Sequence, residues 1–188
     1  SPTAEADYQR LKQSLEQFDI MAMLTREVNK SRINVAVARR LALAVRHLDD
    51  AVRDSAVETL VTNLDVLAPA LPVVLRVIEG LMPDLSSETR ALVTDQIRRS
   101  VREDDYYLSV PVNLGYALRV LKGERSEDNV TLASGLFDRA PAFIKRDIVY
   151  LMDHWDADYR LSDLRRQWAN QHPWVKRALV LTSYSLGD

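Results

Sequence analysis

The chain contains no cysteine. That excludes disulfides and thiolate metal sites, and it fits a cytoplasmic setting. Glycine and proline are scarce, 5 and 7 of 188 residues, which leaves little material for the many tight turns of an all-β fold. No apolar run is long enough to span a bilayer, and no charged-then-apolar signal segment opens the chain, so we expect no membrane role. Net charge is only −2, so the chain as a whole is not a strong polyanion binder. There is no glycine-rich phosphate loop, no serine or histidine in a nucleophile-type motif and no paired-carboxylate signature. No catalytic residue, metal set or cofactor can therefore be assigned, and a binding role is expected over an enzymatic one. The first residue, Ser1, is not methionine, and we expect a piece excised from a longer protein.

What is present is helical periodicity almost throughout. Val37, Leu41, Ala44, Val45 and Leu48 fall at offsets 0, 4, 7, 8 and 11, as do Ile144, Ile148, Leu151, Met152 and Trp155. Val57, Leu60, Val61 and Leu64 make a shorter stripe of the same kind. Pro69, Pro72, Pro141 and Pro173 sit where proline is tolerated, in a first turn. Ser86 and Ser126 are suited to N-caps, and Gly123 to a helix stop. The pattern predicts about eleven helices in one domain spanning 1–188: 4–17, 19–29, 34–48, 51–66, 69–81, 87–102, 110–121, 127–138, 141–154, 158–170 and 173–186.

Four of these helices begin alike, with a basic residue one turn in. They are "DDAVRD" with Arg53, "SSETRA" with Arg90, "APAFIK" with Lys145 and "HPWVKR" with Lys176. The spacings are 37, 55 and 31 residues. Two of the three suit helix-pair repeats. The long interval holds Gly115 and "VREDDYYLSVPVNLGY", and is read as an interruption. The run His-Pro-Trp-Val-Lys-Arg-Ala-Leu resembles the second helix of HEAT repeats. Val175, Lys176 and Ala178 carry the likeness, with Val52, Arg53 and Ala56 matching partly and Ile144 and Lys145 more weakly. The resemblance implies an all-α, right-handed α-solenoid of antiparallel helix pairs, and no single activity. An irregular helical bundle is the alternative. The last helix carries Trp174, Leu181 and Tyr184 around its sides besides Val175, Leu179 and Leu186, more apolar surface than a cap needs, which again suggests a fragment.

Candidate contact residues are basic. Arg139, Lys145, Arg146, Arg165, Arg166, Lys176 and Arg177 gather in the last third, with Trp174, Trp155 and Trp168 nearby. Arginine with exposed aromatics suits a nucleic-acid strand or a protein partner, which would meet a basic inner face. Arginines near helix ends also serve the helix dipole, and Trp155 and Trp168 fall on core stripes. "DHWDADYR", with Asp153, His154, Asp156 and Asp158, has the donors for a divalent ion, but it reads better as a helix–helix turn with Asp156 or Asp158 as N-cap.

The final segment, "HWDADYRLSDLRRQWANQHPWVKRALVLTSYSLGD", is also similar to the end of some bacterial reverse transcriptases of the abortive-infection and defence type. Trp155, Leu161, Trp174, Lys176–Ala178 and Ser183–Asp188 carry that likeness. It implies a non-catalytic accessory domain; the polymerase's Tyr-x-Asp-Asp motif is not here. Three roles stay open: a scaffold binding a protein or nucleic acid, an enzyme on a HEAT-like frame such as the alkylpurine DNA glycosylases, or a purely structural piece. A basic face with exposed tryptophans would favour the first, a carboxylate in an aromatic, basic cleft the second, and buried tryptophans the third.

Overall fold

The structure, a computed structural model, describes residues 2–184, without the side chain of Tyr184. Among the described residues it is all-helical, with eleven α-helices and no strand. They are α1 (Pro2–Val28), α2 (Val35–Ala44), α3 (Asp50–Val61), α4 (Leu71–Leu81), α5 (Ser87–Glu103), α6 (Tyr106–Ser109), α7 (Pro111–Leu121), α8 (Glu127–Gly135), α9 (Ala142–His154), α10 (Asp158–Arg166) and α11 (Pro173–Tyr184). No described helix is long and apolar enough to cross a membrane. The expected count is met by two compensating differences. Residues 4–17 and 19–29 form one helix, because nothing from Thr3 to Val28 is a glycine or proline that would break it. The short α6 was not anticipated.

The chain divides into two compact units, 1–96 and 97–188. In the first, α1 packs on α2 and α3, and α2 on α4. In the second, α9 packs on α7, α8, α10 and α11.

One corner recurs. Val45–His47, Met82–Asp84, Phe137–Arg139 and Trp168–Asn170 each form a single 3-10 turn. Each is followed by one extended residue: Leu48 (φ −78, ψ 152), Leu85 (−79, 153), Ala140 (−81, 150) and Gln171 (−85, 149). The 3-10 turn tightens the end of one helix, the extended residue redirects the chain, and the next residue opens the following helix. Those openers are Asp49, Ser86, Pro141 and His172. Ser86 Oγ accepts the Thr89 N–H at 3.2 Å, and Ser126 Oγ, at the start of α8, accepts that of Asn129 at 3.1 Å, as expected of N-caps.

The repeated basic residue stands four places after each opener. Arg90 donates to the Leu85 carbonyl (3.3 Å), the Lys145 ammonium lies 5.3 Å over the Phe137 ring, and Lys176 lies 5.6 Å over Trp168. Each of these three folds back on its own corner. Arg53 instead reaches the Asp84 carbonyl at the following corner (3.3 Å) while pairing with Asp50.

The 55-residue interval holds the helix starts of α6 and α7. Helix α7 opens after Val110, which splits the interval into 24 and 31 residues. Counting seven places from each opener gives Ala56, Val93, Ala117, Ile148 and Leu179, all buried. So α7 shares the register of α3, α5, α9 and α11. Leu114 stands where the others carry a cation, which is why the basic pattern passes over it. Most long-range side-chain hydrogen bonds have a similar reach: Gln17–Asp49, Asp54–Ser86, Arg98–Asn129, Lys122–Trp155 and Glu127–Tyr159 are separated by 31–33 residues, with Arg98–Ser126 at 28 and Asp54–Thr89 at 35.

Candidate interaction face

The 31-residue register of α7, α9 and α11 determines what the second unit shows outward. Two places after the openers stand Val112, Phe143 and Trp174. Five places after stand Gly115, Arg146 and Arg177. Nine places after stand Arg119, Tyr150 and Leu181. These lie on one side of each helix, because offsets of three, four and seven return to the same face. The intervening positions Ile144, Ile148, Val175 and Leu179 are buried and hold the helices in place.

Between α7 and α9 this side forms an open cleft. One section, about 170 Å³, is lined by Gly115, Leu118, Arg119, Lys122, Asp147, Tyr150 and Leu151. The adjoining section, about 140 Å³, shares Gly115, Arg119 and Asp147 and adds Val112, Tyr116, Phe143, Ile144 and Arg146. Gly115 lets the helices approach: a Cβ there would come within 3.2 Å of Ile144 Cδ1. The Arg119 guanidinium sits 5.4 Å over the Tyr116 ring, held flat against its own helix. The Lys122 carbonyl accepts the Trp155 indole N–H at 2.9 Å, which pins the backbone from which the Lys122 side chain leaves. Arg146 places Nε and Nη2 at 3.2 and 3.1 Å from one Asp147 oxygen. The cleft thus offers three cations and several aromatic rings around a single carboxylate. Its two sections fall below the several hundred Å³ of a pocket that encloses a small molecule. It is open enough to take side chains or an extended strand.

Of the residues expected from sequence, Arg146 lines this cleft, and Arg177 and Trp174 stand at matching places on α11. Trp174 is 54% exposed and meets His172 edge-on at 4.8 Å. Lys145 and Lys176 are turned to their corners instead. Arg139 is exposed in the 3-10 turn ahead of α9, and Arg165 and Arg166 lie on α10, Arg166 paired with Asp163 at 3.1 Å. The Arg165 atoms Nε and Nη2 are buried without a hydrogen-bond partner. Adjacent cations therefore do different jobs, since neighbours on a helix point about 100° apart. Arg119, Lys122, Tyr116 and Tyr150 were missed; the 31-residue register, read from "HPWVKR" back through "PAFIKR" to "VPVNLG", was the signal that could have found them.

The remaining expectations resolve locally. Trp155 is 1% exposed and belongs to the core, while Trp168, at 40%, is a half-exposed platform under Lys176. Asp156 has φ 51 and takes the left-handed position that ends α9. The residue before α10 is Ala157, so neither Asp156 nor Asp158 is the N-cap. The described residues contain no group of three His, Asp or Glu side chains placed to share a metal ion. Residues Ser185–Asp188, which carry part of the likeness to reverse transcriptases, and Leu186 of the final apolar face lie outside the described residues.

Compared with protein-family profiles, curated proteins and solved structures, the chain matches none.

Proposed function

We propose that this chain is a HEAT-like α-solenoid that acts by binding, and that its partner is a protein segment held against α7, α9 and α11. The carrying observation is the composition of the α7–α9 cleft and its continuation on α11: Tyr116, Tyr150, Phe143 and Trp174 interleaved with Arg119, Arg146 and Arg177. Tryptophan, tyrosine and arginine are the residues that concentrate binding energy at protein interfaces. A nucleic-acid groove draws its affinity from many phosphate contacts, and here two of the expected cations, Lys145 and Lys176, are engaged at their own corners. The recurring corner and the 31–33-residue spacing of hydrogen bonds support the solenoid reading.

The test is a photo-crosslinker in place of Tyr150, with a control at the exposed Thr131 of α8, in cells. Protein adducts at Tyr150, absent at Thr131 and lost when Arg119 and Arg146 are both changed to alanine, are expected. Nucleic-acid adducts, confirmed by salt-sensitive anisotropy with labelled DNA or RNA, would replace the protein partner with a strand. Equal labelling at both positions would remove the proposal.

A second reading follows from Asp147, a carboxylate in an aromatic, basic cleft as a base-excising enzyme requires. The Arg146 ion pair and the small cleft favour a positioning role for this carboxylate. Release of a free base from alkylated DNA by the chain, lost in Asp147→Asn, would make the enzymatic reading the correct one.

A further inference from the structure

Helix α1 extends beyond the rest of its unit. Every described residue from Pro2 to Glu16 is exposed, and Gln17 is the first that is buried. The projecting part is about 22 Å long at 1.5 Å per residue. It nevertheless carries an apolar stripe: Tyr8 and Leu11 are each 60% exposed and Leu15 56%, with Ala4 at the same side. Ala4, Leu11 and Tyr8, Leu15 stand at alternating four- and three-residue steps, the spacing of a two-stranded coiled-coil seam. Such a stripe on an isolated helix would be left to water unless another helix covered it.

Charge indicates which helix. With Tyr8 and Leu15 at the first core position and Ala4 and Leu11 at the second, the flanking positions are Glu5 and Lys12 on one side and Asp7 and Ser14 on the other. In an antiparallel pair of identical helices centred between Gln9 and Arg10, Ala4 faces Leu15 of the other copy, and Tyr8 faces Leu11. Small meets large in the outer layers, and both central layers are large. The same alignment puts Glu5 opposite Lys12 twice, while Asp7, which already pairs with Arg10 on its own helix at 3.8 Å, faces the neutral Ser14. The overlap spans the projecting part and stops where Gln17 becomes buried, so the two bodies stand at opposite ends. Moving the helices one heptad further along would set Glu5 against Asp19 and Lys12 against itself.

We propose that α1 is a self-association helix, pairing two copies of this chain antiparallel through Ala4, Tyr8, Leu11 and Leu15. Two helices locked along about 22 Å bury on the order of 1,000 Å², at the small end of specific interfaces, which fits a weak, reversible pair.

Sedimentation velocity from about 1 to 200 µM tests it, a range set by that weak affinity. The mass is expected to rise from 21.4 kDa to its double. Leu11→Glu should leave a monomer at every concentration with unchanged helix content. Lys12→Glu should weaken the pair by about tenfold or more, and Glu5→Lys combined with Lys12→Glu should restore it. Phe18→Ser should not matter, because Phe18 lies beyond the overlap. A monomer at 200 µM overturns the proposal. So does loss of the dimer in Phe18→Ser but not in Leu11→Glu, which would move the contact to the α1–α3 groove. Failure of the double charge exchange to restore pairing overturns the antiparallel alignment.

Discussion

The two units present the same kind of groove with opposite chemistry. In the first unit, α1 and α3 flank an open groove of about 540 Å³ lined by Ser14, Gln17, Phe18, Met21, Asp49, Ala51, Val52 and Ser55. In the second, α7 and α9 frame the basic, tyrosine-lined cleft. Both lie between a helix and the next but one, and both are held by side chains reaching 32 or 33 residues along the chain. Gln17 clasps the start of α3 through its amide: Nε2 donates to the Asp49 carboxylate at 2.9 Å, and Oε1 accepts the Asp49 N–H at 3.0 Å. Trp155 does the same in the second unit through the Lys122 carbonyl. Inward positions are interchangeable apolar residues that preserve the frame. Outward positions are unconstrained by packing, and they alone make one groove oily and the other cationic.

The largest expected effect breaks the second unit. Trp155→Ala removes a buried indole and orphans the Lys122 carbonyl, costing about 3–5 kcal/mol. Hydrogen exchange should show α7–α11 losing protection while α2–α4 keep theirs; equal loss in both would mean that the units do not respond separately. The counterpart in the first unit is Asp54. Burial opposes its ionised form, but hydrogen bonds from Ser86 and Thr89, helped by Arg53, outweigh this and hold its carboxyl below the usual value. Asp54→Ala should cost about 1–3 kcal/mol in urea unfolding, because the Ser86 N–H at the start of α5 loses its acceptor, while the Thr89 hydroxyl keeps Glu58.

Acid should sharpen the same contrast. Glu27 is held low by its hydrogen bond from Lys30, against burial, and by the Asn34 N–H. A carboxyl whose folded value is depressed adds stability above its unfolded value, and that stability is lost as pH falls through the folded one. Glu27 and Asp54 both belong to the first unit. Its protection should therefore decline below about pH 5, and Glu27→Gln should flatten that decline.

A smaller effect of opposite sign is expected at Asn113. It stands three places after Val110, where α9 and α11 carry Ile144 and Val175. It is fully buried, and neither side-chain polar atom has a hydrogen-bond partner. Asn113→Leu should raise stability by about 1 kcal/mol, read as a higher melting temperature. The smallest effect is at the exposed end of the register: Lys176→Ala should cost about 0.5–1 kcal/mol by uncovering the Trp168 ring, with α11 otherwise intact.

The sequence by itself determined the helical class, the Ser86 and Ser126 caps and most helix positions, because these rest on local periodicity and on side chains that bond to their own backbone. It also marked four similar helix starts, since a cation one turn into a helix is a local signature, but not the 3-10 turn and extended residue that precede them. Only the tertiary structure decided what those cations do. Lys145 turns to Phe137 and Arg146 to the cleft, although both are basic neighbours in a string of letters. The common register of α7 with the helices that carry a cation is kept by burial at Ala117, and Leu114 gives it no charge to read. The cleft itself depends on Gly115 letting one helix close on Ile144, 29 residues away. Local chemistry sets where helices begin and end, but a surface is shared between helices, and what it offers is set by which of their outward positions are brought side by side.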